Sequence, residues 1–428
     1  MSARIAAPKI AMQFSPLILI VGAGPAGCAA AYDLARAGKR VLLLDRRAFP
    51  RRKACACGLT RKTLAALRYS VEPVIERVCH EIVLQQDSSQ PKHSEVRIRA
   101  RGAQKAQYAS ATDLRHSICA MAVRETFDHF CLQQTLASGR NGGRVTLLKI
   151  DALVNLRELP THLELDITTP EGQQTLGASV ILGADGSNGQ TRNLHAQMYA
   201  NNGEVCEWFT RGFALEATIP YSALSPKLPQ GNAPHDLIFD FAPLSGGYGW
   251  LFPKGDHINI GIGVFSPDST RVQLKQINRQ SLADYTRHKL GLNLNTMDPA
   301  ITQVTGQHLG MGGHRYIPQG RFLLLGDAAG LVDPLTGEGI HSAITSGQAA
   351  AAAILSCEQD VAAAYAHRLA PLQQTLAFSH SVARTFYAQP KRGFHLMRSP
   401  MVRNLVVKTY ANGVDHARLR ARLTKFIG

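Results

Sequence analysis

The chain has 428 residues, 45% of them hydrophobic and 18% charged, a globular balance that excludes a disordered or collagen-like polypeptide. Lysine and arginine outnumber the acids 47 to 31, and the net charge of +16 favours anionic partners without choosing among polyanions, anionic lipid surfaces, acidic proteins and phosphorylated ligands. The eight cysteines include no CxxC pair, so they read as reduced thiols, and Cys55-Ala56-Cys57 with His80 beyond it fits no zinc spacing.

The stretch between Lys9 and Asp33 carries no charge, yet its apolar run is only Leu17 to Val21 and leads into glycines. That is far short of the ~20 residues of a membrane span, and no cleavage site follows, so the expectation is a cytoplasmic chain with no transmembrane segment. Leu17–Val21 is predicted as a strand, Gly22-Ala23-Gly24-Pro25-Ala26-Gly27 as a tight turn, and the alanine-rich run to about Ala37 as a helix. A second strand, Arg40 to Leu44, ends in Asp45. The three glycines permit the turn, close backbone approach to a pyrophosphate, and close helix–sheet packing. The helix N-terminus offers N–H groups to the phosphates, and Asp45 can accept hydrogen bonds from a ribose. This unit predicts dinucleotide binding without separating FAD from NAD.

Residues 51–62 read as a basic loop of small residues, and a helical pattern runs from Ser110 to Ala137. Strands are predicted at Arg144–Leu148, His162–Thr168 and Ala178–Leu182, the last running into Gly183-Ala-Asp185-Gly186. From about Asn201 to Gly313 strands at Phe213–Ile219, Leu237–Phe241, Gly249–Phe252 and Ile258–Val264 alternate with Pro/Gly/Asn turns, the pattern of an antiparallel sheet. Arg321–Leu325 reads as a buried parallel strand followed by Gly326-Asp327-Ala-Ala-Gly330, a loop from Leu331 to Gly339, and a small-residue helix from Ile340 to Leu355. The remainder reads as helical and basic: His380 to Gly428 holds ten lysines and arginines against Asp415 alone.

Two further glycine–aspartate elements, Asp185-Gly186 and Gly326-Asp327, exceed what a plain Rossmann dehydrogenase needs. With the first glycine turn and Asp333-Pro334-x-x-Gly337-Glu338-Gly339-Ile340, they resemble the three motifs of the aromatic-hydroxylase-like FAD enzymes. Within that superfamily the chain resembles the geranylgeranyl reductase family in Lys53-x-Cys55-x-x-Gly58-Leu59, Arg124-x-x-Phe127-Asp128 and Tyr248-x-Trp250-x-Phe252-Pro253-Lys254. Phe386-Tyr387…Pro390 and Arg398-Ser-Pro400 extend the resemblance over nearly the whole chain.

The resemblance implies an α/β fold: a Rossmann-type FAD-binding domain (14–85, 108–200 and 315–375), an antiparallel-sheet substrate domain (201–314 with 86–107) and a basic helical C-terminal region (376–428). It implies FAD contacts at Gly22, Gly24, Pro25, Ala26, Gly27, Asp45, Arg46, Lys53, Gly58, Leu59, Arg124, Ala152, Asp185, Gly186, Gly326, Asp327, Pro334, Gly337, Gly339 and Ile340. The Pro334–Gly339 stretch at a helix start can offer N–H groups to a reduced, anionic flavin. Tyr248 and Trp250 share one strand face and, with Phe252, are expected to roof the substrate cavity. Family members often carry Cys-Gly-Gly-Gly where this chain has Cys55-Ala-Cys57-Gly58, so a second thiol is added to the flavin-facing loop. Cys55, Cys57 and Glu338 are candidate catalytic groups by placement.

The family performs polyprenyl double-bond reduction, halogenation and aromatic hydroxylation on one scaffold. The last includes monooxygenases that oxidise a tryptophan during tryptophylquinone maturation of quinohaemoprotein amine dehydrogenase. Of the activities the resemblance implies, a monooxygenase using FAD, NAD(P)H and O₂ is placed first, with the basic tail pointing to a tryptophan of an acidic protein or peptide, although basic residues could equally receive a diphosphate headgroup. A reductase of a polyprenyl lipid is the alternative, and a halogenase comes third because its Trp-x-Trp-x-Ile-Pro strand is Tyr248-x-Trp250-x-Phe252-Pro253 here. A nucleic-acid-binding flavoprotein is disfavoured, since the aromatics of the basic tail form no stacking platform. Arg418, Arg420 and Arg422 are expected to dock the anionic partner.

Overall fold

The computed structural model describes residues 17–86, 95–99, 117–199, 207–224, 237–268, 271–299, 301–357 and 359–413. Arg418, Arg420 and Arg422, the beginning of the Ser110 helical pattern and most of the 86–107 segment lie outside the described residues.

Five parallel strands form the central sheet, in the order Phe322–Leu324, Val180–Gly183, Ile18–Val21, Arg40–Asp45, Arg144–Lys149. The first three are buried at every residue, which is why their sequences are apolar runs without alternation. Helix Pro25–Arg36 leaves the Ile18–Val21 strand through the glycine turn, with proline at its first position. It packs on helix Ile340–Ser356 through small residues: a Cβ on Gly347 would lie 2.3 Å from the Ala26 carbonyl oxygen. Both helices therefore start at the carboxyl ends of the parallel strands.

An antiparallel meander, Ala152–Glu158, Leu163–Thr169 and Gly172–Ala178, links strand Arg144–Lys149 to strand Val180–Gly183 of that sheet. The second large sheet has seven strands in the order Val304–Met311, Thr210–Pro220, His257–Val264, Gly247–Pro253, Leu237–Asp240, Glu81–Gln85, Glu95–Arg99. Its neighbours are antiparallel except Leu237–Asp240 beside Glu81–Gln85. Gly247–Pro253 is buried throughout. Helix Arg279–Leu290 covers one face, with the Tyr285 ring filling the space above Gly249, and the other face looks into the cavity described below.

Four local expectations change. Residues 51–62 are not all loop: Gly58–Thr60 is a strand and Arg61–Ala66 a helix. The helix in the Ser110–Ala137 pattern is Arg124–Leu136, while Cys119–Met121 is the central strand of a small sheet between Gly58–Thr60 and Arg77–Cys79. Those three residues pair on both edges with distant segments, so no local periodicity reveals them. Helix Arg279–Leu290 interrupts the region read as strands and turns; its signal was the Asn278/Ser281 capping box. The expected boundary at 375/376 falls inside one continuous helix, Val361–Ala388, which Pro390–Leu396 and Pro400–Asn412 follow. Among the described residues no helix is long and apolar enough to cross a membrane.

Candidate active site

A cavity of about 510 Å³ lies between the carboxyl ends of the parallel strands and the inner face of the seven-stranded sheet. Gly22, Gly24, Pro25 and Ala26 form one end. Gly22 has φ +106, and a Cβ there would sit 2.4 Å from the Ala184 carbonyl oxygen, so only glycine permits the turn. Gly27 does not line the cavity; its missing side chain lets the helix approach the Gly22 carbonyl, the packing role expected of the third glycine. Gly24 caps helix Pro25–Arg36 without a side-chain hydrogen bond, which leaves first-turn N–H groups directed at the cavity. Asp45 Oδ2 accepts from Ala23 N–H at 2.8 Å and Oδ1 from Arg47 N–H at 2.9 Å, and each oxygen keeps a further lone pair for a ribose hydroxyl. Arg46, Lys53 and Arg124 line this end, joined by Arg51 and Arg52, which sequence reasoning had not singled out.

The third motif supplies the opposite wall. Asp327, Gly337, Glu338, Gly339 and Ile340 line the cavity, while Gly326 and Pro334 lie behind it. Gly326 donates its N–H to Ser346 Oγ at 3.0 Å and adopts φ +52 between Ala26 and Ala343. Asp333 organises the loop: its Oδ1 accepts from the N–H groups of Leu335 (2.8 Å) and Thr336 (3.0 Å), and its Oδ2 from Ser379 Oγ (2.8 Å). Two tyrosine hydroxyls fix the same loop from outside, Tyr248 donating to the Thr336 carbonyl and Tyr387 to the Leu335 carbonyl at 2.8 Å. Helix Ile340–Ser356 begins here without a side-chain cap, so a second positive helix end meets the cavity.

Glu338 occupies the wall, but its carboxylate is engaged elsewhere. Oε1 accepts from Thr60 Oγ1 and Thr63 Oγ1, each at 3.0 Å, and Oε2 pairs with Lys62 Nζ at 2.5 Å. Three donors on one carboxylate describe a tie between the loop and helix Arg61–Ala66. Among the remaining expected contacts, Asp185, Gly186 and Gly58 line the cavity, whereas Leu59 is fully buried in the core and Ala152 lies beside the lining residues Ile150 and Leu153. The Asp185 carboxylate accepts from Thr191 N–H at 3.0 Å and from the Thr191 hydroxyl, holding the start of helix Thr191–Tyr199.

Tyr248, Trp250 and Phe252 do face the cavity together. Phe239, Phe265 and Tyr410 complete an aromatic wall, with Tyr248 at 5.3 Å from Phe239 and 4.8 Å from Phe265 between ring centroids, and Phe239 at 6.0 Å from Tyr410. Glycines create the room: a Cβ on Gly261 would overlap Trp250, and one on Gly263 would overlap Phe265. The Trp250 Nε1–H donates to Asn259 Oδ1 at 2.7 Å, so the indole is polar-satisfied and rigid.

Between the charged and aromatic ends lies the Cys55–Gly58 loop. Cys57 N–H points at Cys55 Sγ, 3.3 Å away, with Cys57 at φ +47. Glu216 Oε1, from the Thr210–Pro220 strand, accepts the Cys55 N–H at 2.8 Å. Lys254 reaches the loop from behind, its Nζ donating to the carbonyls of Ala56 and Ala122. A hydrogen bond from Cys57 and the nearby Arg124 guanidinium hold the Cys55 thiol well below its ordinary pKa, whereas the same hydrogen bond and burial push Cys57 well above it. Burial raises Glu216 to about 7, with the Cys55 charge acting in the same direction. Glu216 and Tyr410 carried no sequence signal, because each reaches the cavity only through long-range packing.

This lining fits FAD. Two uncapped helix N-termini and a set of arginines suit a pyrophosphate, Asp45 and Asp327 suit ribose or ribitol hydroxyls, and the aromatic end suits a flat ring. The comparisons agree. The FAD binding domain family matches residues 17–367. Digeranylgeranylglycerophospholipid reductase 3 of Methanosphaera stadtmanae is 27% identical over 337 residues, covering 78% of this chain and 75% of that protein. Menaquinone reductase of Mycobacterium tuberculosis is 26% identical over 412 residues, covering 92% and 90%. A geranylgeranyl bacteriochlorophyll reductase-like protein of Thermoplasma acidophilum shares the fold, with a TM-score of 0.62 at 19% identity over 87% of this chain and 90% of that one. The chain belongs to the FAD binding domain family, and the proteins it resembles include reductases of geranylgeranyl compounds.

Proposed function

We propose that this flavoprotein reduces a carbon–carbon double bond in an apolar, polyprenyl-type substrate, with NAD(P)H as the source of electrons. The observation that carries this reading is the meeting of the aromatic wall with two proton-holding groups, Cys57 and Glu216, inside one cavity. Bound FAD supplies the electron pair. Saturating an alkene also requires a proton on the second carbon, and a carboxyl with a pKa of about 7 exchanges protons efficiently near neutrality. The aromatic wall excludes water and gives an isoprenoid chain an apolar surface. The named activities of the relatives support the same reading.

A surface feature supports a lipid substrate. Leu396 and Met401 are 61% and 58% exposed on the two last described helices, with Leu405 exposed beside them and Lys391, Arg392 and Lys408 also at the surface. Apolar residues bordered by cations suit the boundary of an anionic membrane, and Tyr410 on the same helix lines the cavity. The hydroxylase reading rests on the net charge of +16, which an acidic peptide also answers. Oxygen chemistry beside a thiol of lowered pKa would expose Cys55 to peroxide-level oxidants, an arrangement that favours the reductase. Turnover under isotopically labelled oxygen separates the two. A geranylgeranyl lipid should gain two hydrogens and no label; a labelled hydroxyl on an aromatic ring of a peptide substrate would establish the hydroxylase.

A further inference from the structure

The geometry points to a second redox centre: we infer that Cys55 and Cys57 form a dithiol that closes to an intraloop disulfide and exchanges an electron pair with the bound flavin. This goes beyond the substrate reading and depends only on the flavin family. Both side chains line the FAD cavity, one residue apart, and both are free thiols in this structure. The Cys57 amide N–H donates to the Cys55 sulfur at 3.3 Å, so the loop already folds the second cysteine back onto the first.

The loop is built to hold them there. Glu216 fixes the Cys55 N–H, Lys254 fixes the Ala56 carbonyl, and the Cys57 carbonyl accepts from Ala122 N–H at 3.2 Å. Cys57 keeps a left-handed backbone that favours glycine, one of two such non-glycine residues among those described. That conformation accompanies the turn that brings the Cys57 N–H onto the Cys55 sulfur. The hydrogen bond from Cys57 and the Arg124 guanidinium lower the Cys55 pKa while that hydrogen bond and burial raise that of Cys57, so Cys55 is the thiol that gives up its proton first, which favours thiol–disulfide exchange.

The step balances without another reactant. An S–S bond forms between the Cys55 thiolate and the Cys57 thiol as the S–H bond breaks. The proton and two electrons pass to oxidised FAD, giving its reduced anion. The reverse step regenerates thiolate and thiol. The disulfide therefore stores one electron pair equivalent beside the flavin.

Two measurements on the FAD-loaded protein, oxidised with diamide and freed of it under argon, test the inference. Anaerobic dithionite titration should consume two electron pairs per flavin in the wild type and one in Cys57→Gly, a substitution that suits the left-handed backbone. Cys28→Ser, a buried cysteine outside the cavity, should still consume two. Trypsin releases Ala54–Arg61, which carries only Cys55 and Cys57. Before reduction this peptide should be two hydrogens lighter than the free-thiol form and resist alkylation; after reduction it should take two alkyl groups. A wild type that consumes one pair per flavin, or a peptide alkylated twice before reduction, overturns the inference, and the peptide decides it even if Cys57→Gly fails to fold.

Discussion

Burial raises the Glu216 carboxyl from an ordinary value of 4.5 to about 7. In that interval the native state holds a proton that the unfolded chain has released, so stability is fully present below pH about 4.5 and declines as pH rises through about 7. The decline is on the order of 3 kcal/mol, from ~1.4 kcal/mol per pKa unit. Glu216→Gln should flatten it, which urea unfolding of wild type and variant across this window will measure. Arg124 works in the opposite sense. Its Nε lies 2.6 Å from Asp128 Oδ1 with both side chains buried, so Arg124→Ala should destabilise the fold by about 3 kcal/mol. The same change should raise the pH at which iodoacetamide alkylates Cys55, since the guanidinium helps hold that thiol ionised. Arg124 was legible in the sequence as part of a motif with Phe127 and Asp128. Glu216 was not: its partner Cys55 lies 161 residues away, and a single acid on an alternating strand reads as a solvated face. Glu338 shows the converse, an acid well placed in the motif whose oxygens are already bound by Thr60, Thr63 and Lys62.

The Asp333–Gly339 loop is the element on which the flavin end of the cavity depends. Its carbonyls are held by tyrosines from two different places, the Gly247–Pro253 strand and the Val361–Ala388 helix. Removing one hydroxyl by Tyr248→Phe or Tyr387→Phe should cost about 1 kcal/mol and leave the other tyrosine in place. The double variant should lose bound FAD, measured as the ratio of flavin to protein absorbance after gel filtration. The loop itself was legible because glycine, aspartate and proline signals are local. The tyrosine clamp was not, since it joins residues 88 and 52 positions apart in the chain. Cys119–Met121 failed for the same reason: three residues inside a helix-like stretch become a strand through partners on either side.

At the scale of the molecule, charge and architecture answer different questions. The parallel sheet, the glycine turn and the antiparallel sheet were readable because each has its own periodicity and turn chemistry. The division of the +16 was readable only as position in the chain. Part of it falls on helices whose apolar residues are exposed and whose Tyr410 enters the cavity, which joins the basic C-terminal region to the site. Binding to vesicles containing anionic lipid should therefore weaken as salt rises, and Leu396→Glu with Met401→Glu should abolish it while FAD is retained; flotation of the holoprotein measures both. The central claim, reduction of a double bond held against the aromatic wall, is tested most directly by mixing the fully reduced holoenzyme with a geranylgeranyl lipid under argon and following flavin absorbance. The flavin should reoxidise as the lipid gains two hydrogens. A flavin that stays reduced until oxygen is admitted, with the lipid unchanged, would contradict the claim.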